Sequence, residues 1–468
     1  TWGDAEPAQG NYVGEKTSDA ALIRQISNLG LRVSGMLCYN NARYNSNWKV
    51  SPYIELPDTE EEYNGFKKYC EYIAKTFGDY IDYYEIWNEP NVVSFNPFTH
   101  NKPIEGAPIL TRITKDARAA INKYDPTAHI ASVSVTGVHL DFSKEWLTEC
   151  LKNGIVDGDN GMNMMALHTY HETKSPEAAK IYELVKWYQK QVEPYGIKDI
   201  PIYISEYGVT TPDEYTGIEN KTNWIVRDTI LFKAHGVGDY MFLYNMEQKS
   251  IIDTAREDNF GIVTHPEPAY QVDGKTCLAT QPYVAYTAMN YVLGGHVIPD
   301  GTWEPGNEIY LNRFKSEKWN SNVLTMWSAD GSKSLTLDLG VDKVDYYDRY
   351  GNKTVIYGKD GIFTFLIDER PAYIVGNFER NMVKNHEPII EYDQYRAVSA
   401  KDEGKAAFTV SVKEGSGYTV AAKALYGDDH ETVTEVKDGK ARVLCDVAGG
   451  LGTGTYVDVY LRKNDKNI

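Results

Sequence analysis

From about residue 20 to about residue 295, short apolar runs alternate with amphipathic segments. The runs are LRVSGMLCY (31–39), YYEIWNE (83–89), HIASVSV (129–135), MNMMALHTY (162–170), PIYISEYG (201–208) and DYMFLYN (239–245). Each is too short and too continuously apolar for an amphipathic helix and reads as a strand buried on both faces. The segments between them carry helical periodicity. Over 59–77, Tyr63, Phe66, Cys70, Ile73 and Phe77 recur at helical spacing, Thr59 and Glu62 form a capping box, and Gly78 closes the segment. EAAKIYELVKWYQKQV (177–192) and TNWIVRDTILFKAHG (222–236) read as one helix each, the second also ending on Gly. Strand followed by helix, repeated, predicts a parallel sheet.

After about residue 297 the helical period fades. EIYLNRF, NVLTMWS, SLTLDLG, GIFTFLI and AYIVG alternate with turns such as Ala329-Asp330-Gly331 and Tyr350-Gly351-Asn352. That texture predicts an antiparallel β-sandwich. A connection, NFERNMVKNHEP, leads to a second β-rich stretch with AAFTVSVKEG, YTVAAKALYG, ETVTEV, ARVLCDV and YVDVYLRK. The expected division is 1–296, 297–376 and 377–468. GGLGTGT (449–455) has no helix pattern after it and reads as a hairpin or loop, not a phosphate cradle.

Charge narrows the partners. With 48 basic and 66 acidic residues the formal charge is −18, which argues against nucleic acid. No apolar run approaches the roughly 20 residues of a membrane span. The five cysteines are scattered without a C-x-x-C pair, so neither a zinc site nor a disulfide framework is expected. Thr1-Trp2-Gly3-Asp4 is not a basic leader followed by an apolar stretch, so no signal peptide is read there.

Chemistry collects at the strand ends. In a (β/α)₈ barrel the active site lies at the C-terminal ends of the strands. Asn88-Glu89 ends one candidate strand, and Glu206 ends the third strand after it. If the first is strand 4, the second is strand 7, and the two carboxylates face each other across the barrel mouth. Glycoside hydrolysis uses such a pair, one group to protonate the leaving oxygen and one to attack or to activate water. His168 and Tyr170 end the strand just before that of Glu206. His168, His171 and Glu172 at a strand end have poor metal-ligand spacing, so no metal is assigned.

EIWNEPN followed by IYISEYG resembles clan A of the glycoside hydrolases, the retaining barrel enzymes. The resemblance covers about residues 1–375. It implies Glu89 as general acid/base, Glu206 as nucleophile, Asn88 on a sugar hydroxyl, His168 and Tyr170 as the polar pair beside the nucleophile, and Tyr244 of FLYN as an aromatic floor. Trp2, Tyr39, Trp87 and Asn40 stand where they could also line a sugar cleft. YYEIWNEPN and the trailing sandwich suit family 39, whereas SEYG leans toward families 5 or 2. Trp2, Glu6, Gly10 and Tyr12 resemble the segment after strand 2 of such barrels, so strands 1 and 2 are expected to be missing and six strands to be present. The implied activity is retaining hydrolysis of a poly- or oligosaccharide, with no cofactor, no nucleic acid and no membrane partner. A transglycosylase, or a non-catalytic carbohydrate-binding protein on the same fold, are the alternatives. The expected setting is secreted or cell-surface rather than cytoplasmic.

Overall fold

A computed structural model of the chain describes residues 1–45, 51, 54–96, 103–171, 173–211, 216–248, 255–264, 278–306, 308–378, 382–383, 390–392, 405–412, 417–424, 430–446 and 457–467. Glu172, the 449–455 glycine segment, Cys277 and most of the 377–388 connection lie outside the described residues. By its internal contacts the chain divides into two units, Thr1–Tyr283 and Val284–Ile468.

The first unit holds one sheet of six parallel strands in chain order. They are β1 (Ser34–Leu37), β2 (Tyr83–Ile86), β3 (His129–Val135), β4 (Met164–His168), β5 (Ile202–Tyr207) and β6 (Tyr240–Leu243). β1 and β6 are its terminal strands, so among the described residues the sheet is an open part of a barrel. The strand pattern predicted from the apolar runs is the one found.

Between strands lie the helices Glu60–Phe77, Ala107–Ile121, Asp141–Lys152, Ile181–Lys190 and Gly217–Ala234. The first starts as predicted. Thr59 Oγ1 accepts from the Glu62 amide, and Glu62 Oε2 accepts from the Thr59 amide at 3.0 Å. Its closing Gly78 stays right-handed. There is no room for a side chain, because a Cβ would stand 2.5 Å from the Ala74 carbonyl oxygen. The segment 177–192 is not one helix. Pro176–Ala179 ends at Lys180, which turns left-handed at φ 49°, and a new helix starts at Ile181. Helix Gly217–Ala234 is buried almost throughout, including Lys221, Arg227, Asp228 and Thr229. Those polar groups are tolerated because each is bonded. Among the described residues no helix is long and apolar enough to cross a membrane.

The second unit contains two separate apolar cores. In one, Leu311, Leu324, Met326 and Ile374 of a six-stranded antiparallel sheet face Leu335, Leu337, Phe363 and Phe365 of a three-stranded sheet. In the other, Val410 and Val443 face Val420, Ala422 and Leu461. Alternate residues of each strand enter the core, as period-two patterning requires. Strands Lys343–Tyr347 and Lys353–Tyr357, which flank the Tyr350-Gly351-Asn352 turn, were not legible, because their polar positions hide the alternation.

Candidate active site

The inner face of the open sheet is layered. Alternate side chains of a strand share a face. Tyr83, Ala131, Met164, Ala166 and Tyr203 form an apolar floor with Tyr240 and Phe242. Above it, Ser205 Oγ donates to Glu85 Oε1 at 2.9 Å, and both residues are buried. Above these lie Glu89, His168 and Glu206.

Two local irregularities raise that top layer. β2 ends at Ile86, and Trp87 and Glu89 then adopt positive φ, 69° and 41°. That region costs a non-glycine residue roughly 1–2 kcal/mol. The turn is held by Asn91, whose Nδ2 donates to the Thr136 carbonyl and Ser143 Oγ, each at 2.9 Å, and by Asn96, which donates to the Pro90 carbonyl at 3.0 Å. On the other side, Leu167 opposes Ile204 but the next residue, His168, opposes Glu206. Ser205 is therefore the extra residue of a bulge, and a bulge re-aims the side chains around it.

Glu89 and Glu206 come together at the mouth. One carboxylate oxygen of each and a ring nitrogen of His168 lie within 4.8 Å of one another. His168 Nδ1 is 2.9 Å from Glu89 Oε1 and 3.4 Å from Glu206 Oε2. Tyr170 donates its hydroxyl to Glu206 Oε2 at 2.7 Å. These three groups are also the ones that could hold a metal among the described residues. The direct imidazole–carboxylate bond already accounts for their approach. His171 does not join them. Its Nε2 is bonded to Asp228 at 2.7 Å and its Nδ1 to the Lys174 carbonyl at 2.6 Å.

Burial and charge oppose each other here. Burial disfavours a charged His168, but Glu206, Glu85 and Glu89 outweigh it and push its pKa up to about 10. The three carboxylates thus favour the charged form of His168. Its stabilising ion pairs are complete below the free-histidine range and are lost as pH rises through about 10. Burial raises the pKa of Glu206, and His168 and the Tyr170 hydroxyl pull it back toward the ionised form, leaving the net direction upward. Tyr170 itself is raised, first by burial and then by Glu206, and stays a hydroxyl donor.

A second ring of contacts fixes Tyr170. Its ring meets Tyr244 edge-on at 6.4 Å and Phe260 at 5.6 Å. Lys221 pins the Phe260 segment by donating to the Asn259 and Gly261 carbonyls at 2.8 and 2.7 Å. Asn88 Nδ2 donates to the Tyr39 hydroxyl at 3.1 Å, and its buried Oδ1 has no partner among the described residues.

Glu89, Glu206, His168, Tyr170, Tyr244 and Asn88 are thus gathered in one place. Trp87 and Asn40 are not available to a substrate, which corrects the expectation from sequence. Trp87 is fully buried, donates its indole N–H to the Phe95 carbonyl at 3.0 Å, and packs on Tyr39 and Phe66. Asn40 is spent below the surface on the Glu55 carbonyl and Glu62 Oε1, at 3.1 and 2.9 Å. Trp2 is likewise buried and bonded to Glu6. Glu85 and Phe260 were missed. The signal for Glu85 was available, since a carboxylate inside an apolar strand demands a buried partner. Phe260 had none.

Comparison with known proteins agrees with this architecture. Residues 32–250 match the family model Cellulase (glycosyl hydrolase family 5). No curated protein matches the chain. Among solved structures, the fold is similar to a family 39 glycoside hydrolase from the gut symbiont Bacteroides cellulosilyticus WH2, with TM-score 0.64, 18% identity, and 80% of this chain and 73% of that one covered. It is also similar to a conserved exported protein from Bacteroides fragilis, with TM-score 0.55, 12% identity, and coverage of 78% and 81%. A third likeness is BuGH86 in complex with neoagarooctaose, with TM-score 0.50, 14% identity, and coverage of 95% and 85%. At these identities the structural likenesses speak for the fold, and the family model speaks for the lineage of the barrel. Residues 32–250 thus match a family of the clan A glycoside hydrolases, and the fold is that of the clan's barrel enzymes.

Proposed function

We propose that the chain hydrolyses a β-linked poly- or oligosaccharide by double displacement, with Glu89 as acid/base and Glu206 as nucleophile. The observation that carries this reading is the approach of the two carboxylates. A separation of about 5–5.5 Å suits direct attack and a covalent intermediate, whereas inversion needs roughly 6.5–9.5 Å to admit a water. Oxygens within 4.8 Å of each other fit the first geometry.

In the first step Glu206 attacks the anomeric carbon while Glu89 gives its proton to the leaving oxygen. The glycosyl–Glu206 ester carries no charge, and Glu89, now a carboxylate, takes a proton from water as that water attacks. Tyr170 steadies Glu206 before attack. The unsatisfied Oδ1 of Asn88 can accept from a sugar hydroxyl. A poly- or oligosaccharide substrate accords with the neoagarooctaose bound to one similar fold, BuGH86, and implies a secreted or cell-surface setting.

The test is turnover on a panel of aryl β-glycosides and β-linked polysaccharides, with Tyr170→Phe run beside the wild type. A hydrogen bond to a charged group is worth about 1.5–3 kcal/mol, so kcat should fall roughly ten- to a hundredfold. Losing a donor that favours the ionised carboxylate raises the Glu206 pKa further, so the acid limb of the pH–rate profile should move to higher pH. Folded wild type that turns over nothing on a broad panel would hand the reading to a carbohydrate-binding protein. Products that are mainly longer glycosides would hand it to a transglycosylase.

A further inference from the structure

Glu85 is unused by the mechanism above, yet it lies directly beneath it. It is 1% exposed, in a strand whose every residue is buried. Its Oε1 accepts from Ser205 Oγ at 2.9 Å and stands 3.5 Å from His168 Nε2. His168 is 0% exposed, with Glu89 and Glu206 at its other nitrogen. One imidazole therefore has three carboxylates around it: Nδ1 is hydrogen-bonded to Glu89, while Nε2 is buried with no hydrogen-bond partner among the described residues and has Glu85 Oε1 3.5 Å away. A neutral imidazole has a single N–H and would turn its lone pair toward one of these oxygens, whereas an imidazolium donates from both sides.

We propose that Glu85 is a positioning residue that keeps the proton on His168 Nε2, so that His168 serves the Glu89–Glu206 pair as a fixed cation. This rests on the reading of Glu89 and Glu206 given above. The cation has work in both steps. Before attack it balances the ionised Glu206. After Glu206 is esterified, it balances the Glu89 carboxylate that has just given up its proton. No proton needs to leave His168 at any stage, and none is transferred through Glu85.

The groups facing this cluster come from several elements. Glu85 and Glu89 belong to β2 and its end, Glu206 to β5 and Tyr170 to the end of β4. Cys38 and Tyr39 at the end of β1, and Tyr203 of β5, also feel these carboxylates. Burial pushes the Cys38 thiol up to about 12 and raises both tyrosines, so all three are neutral in the working range. None of these groups is a lysine or arginine. The cation among them is His168.

Glu85→Gln tests this. The amide keeps the volume and an oxygen for Ser205 but removes the charge. Histidine-labelled protein is titrated by nitrogen NMR, with the His168 signal assigned by its loss in His168→Gln. In wild type both ring nitrogens should be protonated from pH 5 to pH 8. In Glu85→Gln the midpoint should fall by one pH unit or more, a tenfold or greater loss of proton affinity, and the basic limb of the pH–rate profile should fall with it. An unchanged His168 titration in the folded variant overturns the role of Glu85. A neutral His168 in wild type at pH 8 overturns it as well, and needs no variant. A titration that moves while the pH–rate profile stays put would leave Glu85 holding the proton but contradict the use of that charge by the Glu89–Glu206 pair.

Discussion

Glu206→Ala is expected to lower kcat/KM on aryl β-glycosides by about three orders of magnitude or more, because the variant has no group to form the glycosyl ester. Glu89→Ala is expected to fall comparably on natural glycosides but to respond to the leaving group. An aglycone that departs as a stable phenolate needs no proton, so its glycosylation step should survive, and the ester should then accumulate because no base activates water. A burst followed by slow turnover would be the sign. The two variants therefore separate the two roles, which a simple loss of activity would not. Equal losses in Glu89→Ala for good and poor leaving groups would argue against an acid at this position.

Arg227→Met is expected to be the most damaging change for stability among those considered. Arg227 lies on helix Gly217–Ala234 and binds Glu177 through two nitrogens, with Nε at 2.7 Å from Oε1. Side-chain exposures are 1% and 2%. Removing one partner of such a buried pair strands the other charge and typically costs about 3–5 kcal/mol. The first unfolding transition in urea should shift accordingly. The double variant Arg227→Met/Glu177→Leu should recover most of the loss, because removing both charges together is often neutral. Activity should suffer too, since the next residue, Asp228, holds His171 beside Tyr170. No shift in the single variant would mean that the pair is solvated in solution.

The strands and the acidic pair were legible in the sequence for one reason. Strand residues buried on both faces leave continuous apolar runs, and polar residues at their ends stand out. Asn88-Glu89-Pro90 is such an ending: Glu89 is lifted by a left-handed turn and the chain is pinned beyond it by Asn91 and Asn96. The capping box at Thr59 was legible because it is local. What stayed hidden depends on distant contacts. Lys180 breaks a periodic segment with no Gly or Pro to announce it. The bulge at Ser205 exists only in the register between β4 and β5. Asn40 looked free because its partners, Glu55 and Glu62, are brought to it by the fold. Trp87, read as a sugar contact, is consumed by the packing that builds the turn.

Glu206 is expected to form a covalent glycosyl intermediate. This is tested most directly by trapping the enzyme with 2-deoxy-2-fluoro β-glycosides bearing a good leaving group, then mapping the label by mass spectrometry of a peptic digest. One sugar per chain is expected, on the peptide containing Glu206, with no label in Glu206→Ala. Label on another carboxylate, or inactivation of Glu206→Ala at the wild-type rate, would contradict it.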